Sequence, residues 1–193
     1  MIVGNFKSRI FLLSCIVLAV FSSSCASHKG AGPADAGANS VDDIVRIAQE
    51  QIAHGLYKQA LDVYSQAYDK YHHQRLRYHY AGAGEQIRNA ADAAFRKSAF
   101  AEAGSVYHVL FESGITIRDF AGSLSFNDDY LDGQIKSCSK ALTEIGLVKY
   151  REEKLDEAIS SWQKVLAFDP ANKGVMKAID TATRQLQHLK NFK

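Results

Sequence analysis

The chain has 193 residues, 47% of them hydrophobic and 23% charged, with a net charge of +2. That length is enough for one domain once the N-terminal segment is set aside. The near balance of charge lacks the basic excess of a nucleic-acid binder.

Lys7 and Arg9 precede an apolar run from Ile10 to Phe21, followed by Ser22-Ser23-Ser24 and then Cys25. A charged start, a short apolar core and small residues form an export signal. As a helix the run spans about 18 Å, short of the roughly 30 Å hydrocarbon layer. Small residues running into a cysteine resemble the lipobox of bacterial lipoproteins. That resemblance implies removal of residues 1–24 and acylation of Cys25 as the first mature residue. Ser22 stands where that family most often has Leu. A second candidate, Leu12-Leu13-Ser14-Cys15, leaves only Ile10 to Leu13 as apolar core, below the roughly 7 residues a signal needs. Cleaved secretion without lipid and an uncleaved anchor are the alternatives. Removing Lys7 and Arg9 from the 23 basic residues leaves 21, against 21 acidic ones, so the mature chain is neutral. Cys138 then remains as the only thiol, which excludes an internal disulfide.

Residues 26–40 are rich in Ala, Gly and Ser without apolar periodicity, which predicts a flexible tether from Cys25 to residue 40. Order is expected from Ser40, a helix cap with Asp43 three residues later. Ile44, Ile47, Ala48 and Ile52 share one helical face, Gly55 breaks the run, and Tyr57, Ala60, Tyr64 and Ala67 open a second helix. A lengthened third helix is expected from near Gln74, carrying Ile87, Ala90, Ala91 and Ala94. A fourth carries Phe100, Ala103, Tyr107 and Leu110. Gly114 to Asn127 shows no helical stripe and is long for a helical connection. It is either a connector whose Ile115, Ile117 and Phe120 fill a gap, or a loop that contacts a partner. Asn127-Asp128-Asp129 is a helix start with acids on the positive end of the dipole. The next stripe runs through Tyr130, Leu131, Ile135, Cys138, Leu142 and Ile145, which places Cys138 in the core. After Pro170, Asn172 caps a last helix bearing Val175, Ile179, Ala182, Leu186 and Leu189, with Lys173, Lys177, Arg184 and Lys190 on its polar face.

Residues 142–170 carry a more specific pattern. Leu142, Ile145 and Gly146, then Ala158, Trp162 and Pro170, resemble the tetratricopeptide repeat, a 34-residue helix–turn–helix unit. Leu155-Asp156-Glu157-Ala158-Ile159 and Phe168-Asp169-Pro170 resemble that unit's second-helix start and its exit. Weaker repeats align on Ala60, with Ala48 at the small position, and on Ala103, with Ala91. The first ends on His72 instead of the usual Pro. The expected fold is therefore all-α, a right-handed stack of helical hairpins with about seven helices. Degenerate repeats fall at about 41–74 and 84–117, a strong one at 139–172, and a closing helix at 172–190, within a domain of residues 41–193.

The resemblance implies a scaffold that holds a protein or peptide on its concave face. The family's contact positions fall on Val45, Gln49 and Ile52, then Arg88, Asp92, Phe95 and Arg96, then Lys140, Thr143, Leu147, Tyr150 and Arg151. Trp162 occupies a core position of the family. The Lys and Asn pattern that clamps a C-terminal carboxylate in some members is absent, since Val45 and Gln49 hold its first places. Solvated charge at Arg88, Asp92, Arg96 and Arg151 is expected to be nearly neutral for folding.

Other clusters offer little chemistry. His72, His73 and His79 lack the spacing of a zinc site, and adjacent Asp128 and Asp129 cannot face one another for acid–base work. No catalytic motif, cofactor motif or nucleic-acid motif is present, and the expectation is a non-enzymatic, cofactor-free protein. It would be lipid-anchored, with Ala26 in place of the Asp that retains enteric lipoproteins at the inner membrane, so on the periplasmic side of the outer membrane. A small-ligand module lidded by 114–127 and an envelope hydrolase using Asp92 are the rival readings.

Overall fold

A computed structural model describes residues 36–191 apart from 119, 121 and 122, with side chains from Val41 onward. The signal segment, Cys15, Cys25 and the tether up to residue 35 lie outside the described residues. Seven α-helices are seen among those described: α1 (Ala36–Ala53), α2 (Tyr57–Tyr71), α3 (Gln74–Arg96), α4 (Phe100–Glu112), α5 (Asp128–Arg151), α6 (Leu155–Leu166) and α7 (Lys173–Asn191). A single 3-10 turn, Ile115–Ile117, lies between α4 and α5. Each helix packs on the next, and α1 also meets α3, α2 meets α4, and α4 meets α6. Within the described residues the fold is all-α with no strand, and none of its helices is long and apolar enough to cross a membrane.

The start of α1 corrects the expectation for residues 36–40. The helix begins at Ala36, so Ser40 lies inside it and cannot cap it. Alanine is the strongest helix former, and adding residues to an existing helix avoids the nucleation penalty. Asp43, instead of completing a capping box, pairs with Arg46 at 3.4 Å. At the other predicted start the expectation holds. Asn127 accepts the Tyr130 amide at 2.9 Å, with Asp128 and Asp129 in the first turn.

The hairpins α1–α2, α3–α4 and α5–α6 turn in the same way. Each places one left-handed residue between its helices: Gly55 at φ 73°, Ser98 at 59° and Glu153 at 61°. In each, the following amide reaches back five residues: Leu56 to Gln51, Ala99 to Ala94 and Lys154 to Lys149, at 2.9, 3.0 and 3.0 Å. This is a Schellman-type stop, which consumes carbonyls that the helix end leaves orphaned. Gly55 takes the conformation freely, whereas Ser98 and Glu153 carry a Cβ against it. Ser98→Gly and Glu153→Gly should therefore each stabilise the fold by about 0.5–1 kcal/mol. Chemical denaturation would show a higher midpoint at unchanged slope; a lower midpoint would mean that these side chains hold the turns.

The packing repeats in register with the turns. Ala48 and Ala60, Ala91 and Ala103, and Gly146 and Ala158 are buried small pairs that let two backbones approach. Four residues beyond the second member of each pair comes a buried aromatic: Tyr64, Tyr107 and Trp162. Glycine is required where the approach is closest. A Cβ on Gly146 would lie 2.5 Å from Trp162 Cδ1, and one on Gly104 would lie 2.6 Å from the Phe168 ring. Phe168 thus pins the exit of α6 onto α4, while Pro170 sits exposed in the turn before α7. Cys138 is fully buried as expected, and burial pushes its thiol up to about 11, which keeps it protonated at neutral pH.

The described residues of 114–127 fold back as a wedge. Ile115 is fully buried over Gly84, where a Cβ would lie 2.6 Å from its Cδ1. Phe120 inserts between Tyr68 of α2 and Tyr80 of α3, with ring centroids 5.5 and 5.1 Å away. Arg118 clamps the segment to α2 through Asp69 at 2.5 Å and Ser65 at 2.6 Å. These contacts support the connector reading for Ile115 and Phe120. Ile117 departs from it, standing 80% exposed.

Candidate functional site

The residues aligned with a concave face divide into two groups. Some are spent on folding. Ile52 is buried, Val45 packs against the core, and Gln49 donates to Tyr64 Oη at 3.4 Å. Phe95 stacks edge-on against Phe100 with centroids 5.4 Å apart. Thr143 gives its hydroxyl to the Ser139 carbonyl at 2.7 Å, and its own carbonyl accepts from Trp162 Nε1 at 3.1 Å. Tyr150 packs beside Trp162 and donates to Gln185 of α7 at 2.7 Å.

Arg88 and Asp92 overturn the expectation of free, solvated charge. Their side chains are only 19% and 16% exposed, and they pair at 2.5 Å. Asp92 Oδ1 also accepts hydroxyls from Tyr107 of α4 at 2.6 Å and Tyr130 of α5 at 2.7 Å. Arg88 turns back one helical step to Glu85 at 3.1 Å, and Glu85 in turn accepts the amide and hydroxyl of Ser125. One polar network therefore joins α3, α4, α5 and the wedge. Local sequence carries no mark of it beyond one equivalence: Asp92 follows Ala91 as Gln49 follows Ala48. That equivalence brings both to the aromatic of their own hairpin.

The electrostatics of this network suit a lock. Burial opposes the charge of Glu85, but the hydrogen bonds from Ser125 and Arg88 outweigh it and hold the carboxyl below its usual range. Burial, followed by the Asp92 carboxylate, pushes the Tyr107 and Tyr130 hydroxyls upward, so both remain donors. Two carboxylates thus meet at Arg88, and each also accepts hydrogen bonds from neighbouring side chains. A folded pKa below the unfolded one adds stability above the ordinary carboxylate value, and that stability is lost as pH falls. Stability should therefore decline as pH drops below about 4.3, with faster amide exchange at Ser125 first. Glu85→Gln should flatten that decline, and an unchanged profile would show that Glu85 is not responsible.

The second group is available. Arg96, Lys140, Leu147 and Arg151 are exposed, Leu147 by 39%. Arg96 ends α3, Lys140 lies midway along α5, and Leu147 and Arg151 lie in the last turns of α5. Three are cationic and one apolar, a combination that can receive an acidic segment with an apolar anchor. Among the described residues no group of three or more His, Cys, Asp or Glu side chains is placed to hold a metal. The described residues therefore define an all-helical fold whose consecutive helices pack on one another, with a polar network inside and exposed cations on α3 and α5. No protein-family model matches the chain, and no curated protein matches it significantly.

Proposed function

We propose that this chain is a tetratricopeptide-like scaffold of the bacterial envelope. It is anchored by a lipid on Cys25 and docks a protein or peptide partner of an envelope assembly, such as secretion, pilus or outer-membrane biogenesis. The right-handed arrangement of the hairpins belongs to the same proposal, as does the periplasmic leaflet of the outer membrane. The observation that carries it is the threefold recurrence of one hairpin, with identical turn bonds and the same small–small–aromatic register. Such units stack because neither helix can bury its apolar stripe alone, and stacking leaves an extended face for partners.

The docking surface is the exposed subset of the expected groove: Arg96, Lys140, Leu147 and Arg151. Arg88 and Asp92 are excluded from it by their roles in the interior. The test is crosslinking in cells from positions 96 and 147, paired with a double charge reversal, Arg96→Glu and Arg151→Glu. Exposed substitutions change stability by about 0.5 kcal/mol or less, whereas like-charge contacts in an interface cost several. The double variant should melt like the parent and lose the crosslinked partner. Capture that survives reversal places binding elsewhere. In the same cells Cys25→Ser should abolish palmitate labelling; label that persists, and disappears only with Cys15, refutes this choice of anchor.

A further inference from the structure

A second surface, separate from the cationic edge, lies between α1 and α3. It is a groove of about 380 Å³ lined by Gln49, Tyr78, His79, Gly82, Gln86 and Ser123. That volume falls within the roughly 300–1,000 Å³ of small-molecule sites. Among the described residues its lining carries two amides, a phenol, an imidazole and a hydroxyl, with no carboxylate, ammonium or guanidinium, in a chain where 23% of residues are charged.

Two features make this more than a surface dimple. Tyr78 is 78% exposed, a large aromatic ring that contributes little to the core, and it meets His79 edge-on with centroids 5.8 Å apart. Gly82 stands in the middle of α3, where glycine weakens a helix relative to alanine. Packing does not demand it, since a Cβ there would meet nothing within 4 Å. Two residues on, Gly84 is the opposite case, with Ile115 filling the space. Gly133 of α5 is as unopposed as Gly82, so an open glycine alone marks nothing. At Gly82 it coincides with the groove and bares the backbone to whatever enters.

We infer that this groove binds a neutral saccharide. A sugar ring offers an apolar face for Tyr78 and a rim of hydroxyls for amide groups that both donate and accept. One amide N–H of Gln49 is committed to Tyr64 at 3.4 Å, so Gln86 is the lining amide on which the polar contact chiefly rests. A nucleotide or acidic glycan would require cations that the lining lacks. The site does not depend on the peptide-docking edge, and either can fail without the other.

The test is calorimetric titration of the full chain, in sugar-free buffer and detergent, with N,N′,N″-triacetylchitotriose and with maltotriose. An uncharged peptide of Asn, Ser and Gly serves as the rival ligand. Saturable binding of either trisaccharide is expected, weakened about tenfold or more by Tyr78→Ala or Gln86→Ala, the loss of one stack or one polar contact. Gly82→Leu should abolish it by filling the floor, while its melting temperature stays at or above the parent's and crosslinking from positions 96 and 147 persists. Failure of both sugars, binding that survives Gly82→Leu and Tyr78→Ala, or binding of the peptide alone would overturn the assignment.

Discussion

Trp162→Ala should cost about 3–5 kcal/mol, the range for large aromatics truncated in cores. Against a typical total of about 5–15 kcal/mol, that leaves the domain marginal, and its melting point should fall by about 10 °C. The indole is 3% exposed, lies against the backbone at Gly146, and donates Nε1 to the Thr143 carbonyl at 3.1 Å. Truncation therefore opens a cavity and also leaves that acceptor short of a donor. Gly146 gives the internal control. In the parent, Gly146→Ala drives a methyl into the ring and should destabilise. In the Trp162→Ala background the same methyl enters the vacated space, and the alanine gains up to about 1 kcal/mol of helix propensity. The sign of Gly146→Ala should thus reverse between backgrounds, the non-additivity expected of residues in contact. A shift of a degree or two for Trp162→Ala, or equal effects of Gly146→Ala in both backgrounds, would show that the two do not share one packing site.

Helix positions and the hairpin register were legible because they depend on local signals. Spacing marks a start near Gln74, the side chains of Asn127 and Asn172 mark two more, and helices begin at Gln74, Asp128 and Lys173. The small pairs at 48/60, 91/103 and 146/158 follow from one offset that recurs along the chain. The side-chain network did not follow in the same way. Ser125 reaches Glu85 across 40 residues, and Tyr130 reaches Asp92 across 38. Nothing in either local stretch announces its partner. Arg118 is similar, since its clamp on Asp69 depends on the wedge folding back between α2 and α3. The groove positions that the repeat resemblance implies therefore mix exposed residues with buried ones. Arg88 and Arg96 lie two turns apart on one helix, yet Arg88 is locked by Glu85 and Asp92 while Arg96 is exposed.

That difference sets the second large effect. Asp92→Ala should cost about 2–4 kcal/mol, because it strips the acceptor from the hydroxyls of buried Tyr107 and half-buried Tyr130 and a partner from Arg88. The figure sits below that for a fully buried pair because the Arg88 side chain retains 19% exposure, so water can replace part of what is lost. Asp92→Asn separates charge from shape. Its amide oxygen can still accept from Tyr107 and Tyr130, but its NH₂ group would face the Arg88 guanidinium if the geometry is kept. It should therefore be destabilised less than the alanine variant. In both, α4 and α5 lose a shared anchor on α3, so amide exchange should quicken at Tyr130 and in the first turn of α5 before the α6 core opens. Tyr107→Phe and Tyr130→Phe should each cost about 1 kcal/mol, as single hydrogen bonds do. A melt unchanged by Asp92→Ala would return Asp92 to the solvated surface and reopen the whole concave face, Arg88 included, as a site for partners.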